Sequence, residues 1–239
     1  MVYAVDIQNV RKVYRVGDEK VIALDDISLQ IPQGEICCFL GTSGSGKSTL
    51  LNMMAGLEKP TKGKVEIQGH PIEKMSEEQL ARFRQKNVGF IFQSYNLLPS
   101  LTALENVCLP LTFRGIEKNK REKIALEMLT AVGLKKYANH KPTQMSGGQQ
   151  QRVGIARAFV TKAPIVFADE PTGNLDSKTT QEVMELILNI AEENNQTLII
   201  VTHDRSIADY AHRIIYILDG NIEKIEINQM KSRGKTHEA

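Results

Sequence analysis

Apolar residues in the first third of the chain fall in short segments, and most of these segments show the spacing of β-strands. A helix is predicted after Ser76, a residue type that commonly caps helix N-termini. The predicted strand that ends at residue 40 runs directly into glycines. The predicted strands cover residues 4–10, 22–31, 35–40, 63–69 and 88–92.

The middle of the chain has a different pattern. From residue 94 to about 160 there is little strand pattern, and the segment KREKIALEMLTAVG has the periodicity of a helix that stops at Gly133. We predict an inserted, mostly helical lobe over 94–160. One stripe of this helix holds Ile124, Met128, Leu129 and Val132.

Strand pattern returns in the last third. Residues 164–170 and 196–203 are continuous apolar runs, which are typical of parallel strands buried on both faces of a sheet. Residues 177–194 between them predict a crossover helix, and Asp219-Gly220 predicts a terminal hairpin. With no internal repeat, we expect a single domain over 1–239 that carries the helical lobe.

The composition narrows the function classes. The 239 residues are 41% hydrophobic and 24% charged, with a net charge of only +2, so nothing indicates a nucleic-acid partner. No apolar run reaches the 18 or more residues that a spanning helix needs, and the start lacks the pattern of a signal peptide. Three cysteines without metal-ligand spacing, Cys37, Cys38 and Cys108, predict buried free thiols in a reducing cytosol.

A phosphate-binding loop is the first chemical motif. The segment GTSGSGKST matches G-x-x-x-x-G-K-[ST] between a predicted strand and a predicted helix. Backbone N–H groups and the helix dipole would surround a phosphate, Lys47 would reach the outer phosphates, and Ser48 would offer an oxygen to Mg²⁺. The predicted nucleotide-binding residues of this loop are Gly41, Ser43, Gly44, Ser45, Gly46, Lys47, Ser48 and Thr49.

Two adjacent carboxylates follow the apolar strand IVFAD. At the carboxyl end of that strand Asp169 can hold Mg²⁺, directly or through water, while Glu170 is free to polarise an attacking water. The alternative is a pair of solvated carboxylates. A GTPase is disfavoured because the chain has no N-K-x-D segment.

The segment SGGQQQRVGIARAF is a second glycine-rich stretch that opens a helix, capped by Ser146. It has no lysine, and taken alone it does not exclude an ordinary capped helix. A phosphate that is already enclosed by residues 41–49 could meet a second cradle only from its other side. The natural supplier of that cradle is a second copy of the chain.

Together these motifs resemble those of the ATP-binding cassette (ABC) ATPases. GTSGSGKST, SGGQQ and VFADEPTGNLD occur in that order, with Gln93 before the helical region and His203 after the last core strand. The resemblance covers nearly the whole chain. It implies an α/β fold: a P-loop NTPase (RecA-like) core, an N-terminal antiparallel β region and an inserted α-helical subdomain. It also implies a head-to-tail dimer that clamps two ATP.

The resemblance also assigns roles. Ser146, Gly147, Gly148 and Gln149 match the signature that contacts the γ-phosphate across the dimer. Gln93 matches the glutamine that touches the metal and the attacking water and joins the core to the helical lobe.

Three further residues match roles at the edges of the nucleotide site. His203 matches the switch histidine that bonds the γ-phosphate, although a lone histidine at a strand end is more often structural. Asp176 matches a loop that crosses the dimer interface. Tyr14 matches the aromatic that stacks on adenine; the alternative is a plain strand tyrosine.

The chain departs from the family pattern at two positions. Thr42 stands where proline is frequent, and Met145 where leucine usually precedes the signature. Both changes look tolerable, because the first position offers only its backbone and the second is an apolar exchange of similar volume.

The resemblance implies an ATPase subunit at the cytoplasmic face of the membrane, which it contacts only through separate permease subunits. PTGNLDSKT and NLLPSLTALENVCLPL further resemble the subgroup of lipoprotein release, macrolide and peptide export, and the related cell-division pair. The alternatives are a soluble ABC protein acting on ribosomes or DNA, a mechanotransmission ATPase of the cell-division type, and an idle regulatory cassette. The transported substrate is not encoded in this sequence.

Overall fold

The computed structural model describes residues 3–228, so residues 1–2 and 229–239 of the predicted domain lie outside the described residues. The strands are β1 Tyr3–Val16, β2 Glu19–Pro32, β3 Ile36–Leu40, β4 Lys62–Ile67, β5 His70–Pro71, β6 Val88–Ile91, β7 Ile165–Asp169, β8 Thr197–Thr202, β9 Arg213–Leu218 and β10 Asn221–Ile227. The α-helices are α1 Lys47–Met54, α2 Glu77–Asn87, α3 Ala103–Phe113, α4 Lys118–Ala131, α5 Gly147–Phe159, α6 Ser177–Glu193 and α7 Arg205–Ala208. Single 3-10 turns cover Ile72–Lys74, Lys135–Tyr137 and Pro142–Gln144.

The central sheet has six strands in the order β10-β9-β3-β8-β7-β6. All neighbouring strands run parallel except β9 and β10. Every residue of β3 and β8 is buried. Alternate residues pack against α5 and α6 on one face and against α1 and the strands β1, β2 and β4 on the other, so neither face of these two strands meets water. The prediction of parallel strands buried on both faces is confirmed. The three cysteines are buried free thiols, as predicted.

A second sheet of four antiparallel strands has the order β2-β1-β4-β5. Its strands β1 and β2 are longer than predicted and meet at a turn through Gly17, which has a positive φ of 61°. Helix α1 packs between the two sheets through buried Leu50, Leu51, Met53 and Met54. The start of α1, where the phosphate loop ends, is therefore held from both sides.

Helices α3, α4 and α5 lie within the predicted lobe. Helix α4 ends at Ala131, and Gly133 follows with a positive φ of 76°. Leu129 and Val132 are buried, while the other predicted stripe residues are half-buried and pack against the same core, because the buried face also takes in Ala125. No helix in residues 3–228 has the length and apolar character needed to cross a membrane.

The terminal hairpin joins β9 to β10 through Asp219 and Gly220, as predicted. Both residues have positive φ, 45° and 75°, which suits a two-residue turn between twisted strands. The Gly220 N–H donates to the carbonyl oxygen of Ser45 at 3.0 Å, and the Asp25 N–H donates to the Gly220 carbonyl at 3.0 Å. The hairpin turn thus ties the phosphate loop to β2.

Candidate active site

One cavity of about 890 Å³ collects most of the predicted catalytic residues. The loop between β3 and α1 forms its floor, and the ends of β6, β7 and β8 form one wall. The lining residues are Val21, Ile22, Ala23, Leu40, Gly41, Thr42, Ser43, Gly44, Gly46, Lys47, Ser48, Thr49, Gln93, Asp169, Glu170 and His203.

Two glycines of the phosphate loop, Gly41 and Gly46, lie too close to backbone carbonyl groups to carry a side chain. A Cβ at Gly41 would lie 2.2 Å from the Ile217 carbonyl oxygen, and one at Gly46 would lie 2.5 Å from the Ala23 carbonyl oxygen. Gly46 is also the N-cap of α1 in a left-handed conformation with φ of 99°, and no side chain caps the helix. The first N–H groups of α1 are therefore not satisfied by a capping side chain and can serve an anion.

Lys47 bends back over the loop. Its Nζ donates to the Thr42 carbonyl oxygen at 2.6 Å and approaches the Ser45 hydroxyl at 3.5 Å. Burial lowers the pKa of Lys47, while the charges of Glu170 and Asp169 act in the opposite direction. Ser45 belongs to the same loop, but it is buried and does not line the cavity.

The two carboxylates differ in their surroundings. Burial raises the pKa of Asp169, the neighbouring Glu170 charge raises it further, and Lys47 opposes both effects. Glu170 is in a left-handed backbone conformation with φ of 45°, which is unusual for this residue type. Its Oε2 accepts from the Thr202 hydroxyl at 3.1 Å. Backbone strain of this kind concentrates at functional sites.

His203 is hydrogen-bonded to Glu170. Its Nδ1 lies 2.7 Å from Glu170 Oε1, so both carboxylate oxygens have a partner. The His203 side chain is 65% exposed and the Glu170 side chain 16%, which places the ring at the cavity mouth and the carboxylate inside.

Gln93 follows β6 and lines the cavity. The Asn174 amide donates to the Gln93 carbonyl oxygen at 2.9 Å, and a Cβ at Gly173 would lie 3.0 Å from Gln93 Nε2. Further along the same loop, Tyr95 and Asn96 both have a left-handed backbone conformation, with φ of 60° and 49°. Sequence reasoning missed this conformation, since neither residue is glycine.

Oxygen donors suited to a hard cation meet in this cavity. The Ser48 hydroxyl, the Gln93 amide and the Asp169 carboxylate all line it. Residues 3–228 contain no group of three or more His, Cys, Asp or Glu that could hold a metal by themselves. This donor set fits Mg²⁺, which completes its shell with water and substrate phosphates.

Tyr14 does not line the cavity. Its hydroxyl donates to Glu58 Oε2 at 2.7 Å, and Lys12 Nζ lies 5.1 Å from its ring centroid. Burial raises the pKa of Tyr14, and its hydrogen bond to Glu58 acts in the same direction. Stacking of Tyr14 on adenine stays a prediction. The sequence analysis did not predict that the apolar side chains of Val21 and Ile22 line the cavity. The structure shows both exposed, at 46% and 47%, which is unusual for apolar residues in a strand.

The second glycine stretch lies in a separate cavity of about 370 Å³, which shares no residue with the first. The Gln149 N–H donates to the Ser146 hydroxyl at 3.3 Å, and the Ser146 N–H donates to Gln149 Oε1 at 2.9 Å, so the two form a capping box. This cavity is lined by Ser146, Gly147, Gly148, Gln149, Arg152, Asn174, Leu175, Asp176, Thr179 and Glu182.

Asp176 caps helix α6 beside these glycines. Its carboxylate accepts from the Thr179 N–H at 3.0 Å and from the Thr179 hydroxyl at 2.7 Å. The backbone hydrogen bond from Thr179 lowers the pKa of Asp176. A Cβ at Gly148 would lie 2.9 Å from Thr179 Cγ2, and one at Gly147 would lie 2.9 Å from the Tyr95 hydroxyl. A side chain at either glycine would therefore have to displace a neighbouring side chain.

Comparisons with known proteins identify the family. The family model described as "ABC transporter" matches residues 24–173. An uncharacterized ABC transporter ATP-binding protein of Methanocaldococcus jannaschii, MJ0796, is 46% identical over 93% of this chain and 96% of its own. A macrolide export ATP-binding/permease protein, MacB of Syntrophobacter fumaroxidans, is 45% identical, but the match covers 92% of this chain and 31% of MacB.

A solved structure agrees with this assignment. The dimeric structure of the MJ0796 cassette in a post-hydrolysis state bound to ADP and Pi has a TM-score of 0.87 and covers 93% of this chain and 98% of that chain. The predicted fold class, with its antiparallel β region and helical subdomain, is confirmed. The chain therefore belongs to the ABC transporter family and is an ATP-binding cassette ATPase, as its motifs predicted.

Proposed function

We propose that two copies of this chain close head to tail around two ATP, and that hydrolysis drives a separate membrane permease. The observation that carries the proposal is the division of phosphate-binding groups between two cavities without a common residue. A phosphate held in the first cavity cannot reach the Ser146 cradle of the same copy. A second copy that faces the first supplies that cradle.

The phosphate loop holds the nucleotide in this proposal. Backbone N–H groups of residues 41–49 and the uncapped start of α1 bind the phosphates, and Lys47 exchanges its loop oxygens for phosphate oxygens. Ser48, Gln93 and Asp169 would hold Mg²⁺, and the ion would neutralise charge on the outer phosphates. Tyr14 contacts adenine at the edge of the site.

Glu170 acts as the general base. Its carboxylate is held by Thr202 and by His203, so it is aimed into the cavity. It accepts a proton from the water that attacks the γ-phosphorus, while the bond to the bridging oxygen breaks and ADP leaves. The Nε2–H group of His203 donates a hydrogen bond to a γ-phosphate oxygen. Across the dimer, Ser146 to Gln149 contact the same phosphate, and Asp176 contacts the partner.

The proposed partner is a permease that moves substrate outward or transmits force. Support comes from MacB, whose name joins an export ATP-binding unit to a permease in one protein. The assembly would lie at the cytoplasmic face of the membrane. The 1–239 chain would act as one nucleotide-binding domain, with the lobe 94–160 carrying motion to a permease helix seated beside Gln93. The relatives carry transporter names, so the ribosome or DNA alternative is not favoured.

Light scattering tests the dimer. Glu170→Gln with saturating ATP and Mg²⁺ is expected to form dimers, and adding Ser146→Asp is expected to leave monomers that still bind ATP. Asp caps a helix as well as Ser does, but it places a negative charge against the γ-phosphate. Ser76→Asp is the matched control, since Ser76 forms the same type of capping box away from both cavities. Dimers that survive Ser146→Asp would refute the head-to-tail arrangement.

A further inference from the structure

The loop that carries Gln93 is held by a half-buried arginine of helix α5, Arg157. Arg157 Nη2 donates to the Tyr95 carbonyl oxygen at 2.8 Å, and its Nη1 donates to the Asn96 carbonyl oxygen at 2.5 Å. Its guanidinium carbon lies 5.8 Å from the ring centroid of Phe92. One side chain therefore contacts the loop on both sides of Gln93 in sequence.

Within residues 3–228, the guanidinium of Arg157 is not paired with a carboxylate. None of the ion pairs found among residues 3–228 includes Arg157, and burial lowers its pKa. A half-buried guanidinium is costly unless its fork of donors is used, and here the fork fits two successive carbonyl groups. Those carbonyl groups belong to Tyr95 and Asn96, the two left-handed residues. The arginine thus stabilises a backbone conformation that is uncommon for tyrosine, although asparagine adopts it more readily.

Helix α5 contacts the same loop along its whole length. A Cβ at Gly147, in the first turn, would lie 2.9 Å from the Tyr95 hydroxyl, and one at Gly154 would lie 3.7 Å from the Tyr95 carbonyl oxygen. Arg157 completes these contacts near the end of the helix. The Ser146 cradle and the Gln93 loop are therefore fixed to a single rigid element.

We infer that Arg157 is a positioning residue that places Gln93 in the nucleotide site and couples it to the Ser146 cradle on the same helix. The inference rests on the proposed function, in which Gln93 contacts the metal and the attacking water. Arg157 itself lines neither cavity. When the partner's nucleotide binds the cradle, helix α5 transmits the change to Gln93 of its own copy.

Steady-state hydrolysis by the purified chain tests the inference. Arg157→Lys keeps the charge but cannot reach both carbonyl groups, and we expect kcat to fall about 10- to 100-fold, the usual cost of removing a partner that orients a metal ligand. Affinity for a fluorescent ATP analogue in EDTA should change less than about twofold, since phosphate-loop binding does not need Gln93. Arg114→Lys is the matched control, because Arg114 also donates to three backbone carbonyl groups, of Gln85, Lys86 and Thr161, away from the loop.

A double-mutant cycle separates this inference from the proposed function. If Arg157 acts through Gln93, Arg157→Lys should cost less than about twofold in a Gln93→Ala background. An equal loss in both backgrounds, or a loss matched by Arg114→Lys, would overturn the positioning role. Full activity of Gln93→Ala alone would instead remove the proposed role of Gln93, and the inference with it.

A second variant covers the case in which Arg157→Lys does not fold. Asn174 is exposed, and its amide donates to the Gln93 carbonyl oxygen from outside helix α5. Asn174→Ala should lower kcat in the wild type and have no further effect in Gln93→Ala. An undiminished kcat for Asn174→Ala would show that Gln93 needs no external support and would overturn the inference.

Discussion

The two glycine-rich stretches both open a helix, yet they are built differently. Helix α1 starts at Gly46 without a side-chain cap, whereas α5 starts at Ser146 inside a complete capping box. The first stretch also has Lys47, whereas the second has no lysine, and its Arg152 is paired with Glu182 at 2.9 Å. An uncapped helix start with a lysine binds an anion by itself, while a capped start adds only part of the required donors. In the proposed function, therefore, the first stretch binds the nucleotide and the second serves assembly of the dimer.

The largest expected effect separates turnover from both binding and assembly. Glu170→Gln should lower kcat about 10²- to 10⁴-fold, because the general base is lost while the hydrogen bond from Thr202 can persist. ATP binding and dimerisation should remain. Phosphate release gives the rate; release at the wild-type rate would rule out Glu170 as the base.

The next effect tests the self-sufficiency of the phosphate loop. Lys47→Ala should weaken ATP binding to the monomer by about 1.5 to 3 kcal/mol, or about 10- to 150-fold, because charge-assisted hydrogen bonds are lost. Calorimetry measures the affinity, with Lys64→Ala on the exposed part of β4 as the control. An unchanged Kd would contradict the comparison.

A smaller effect concerns the second stretch. Ser146→Ala should lower the free energy of unfolding by about 1 kcal/mol, because the Gln149 N–H loses its cap, whereas Ser146→Asp should leave it nearly unchanged. Denaturant unfolding of the monomer measures both. Equal destabilisation by the two substitutions would show that the capping box is not what stabilises this helix start.

The smallest effect concerns close packing at Gly148. Alanine there should gain helix propensity but meet the Thr179 methyl group, so Gly148→Ala alone should be neutral or mildly destabilising. In a Thr179→Ser background, which keeps the hydroxyl bonded to Asp176, it should stabilise by about 0.5 to 1 kcal/mol. The same unfolding assay applies; a destabilised double variant would mean that another contact limits this position.

Local signals in the sequence predicted most of the fold. The parallel strands, the helices that begin after Ser76 and Ser146, and the Asp219-Gly220 turn depend on residues close together in the chain, and each lies where it was predicted. Helix α3, which is capped by Thr102, was not predicted as a separate helix. The turn at Gly17 and the full lengths of β1 and β2 were missed, because alternation fades beyond residue 10 and before residue 22. Strand ends there are set by pairing between the two strands.

The chemical groups of the site were predictable and their supports were not. The motif residues of the first cavity were found from spacing, and their roles stay predictions. The hydrogen bonds from Arg157 to the carbonyl groups of residues 95 and 96 join positions distant in sequence, and no local sequence pattern around Arg157 indicates them. Tyr14 was matched through its local motif, but its bond to Glu58 depends on how β1 packs beside helix α1.

The bond from Gly220 to the Ser45 carbonyl has a consequence for biosynthesis. The phosphate loop is synthesised before the hairpin that supports it, because Ser45 precedes Gly220 in the chain. A fragment that stops at residue 173 would contain the loop and both carboxylates, yet lack the strands on either side of β3. We therefore expect that nucleotide can act as a folding template for the nascent chain only after the β9–β10 hairpin has emerged.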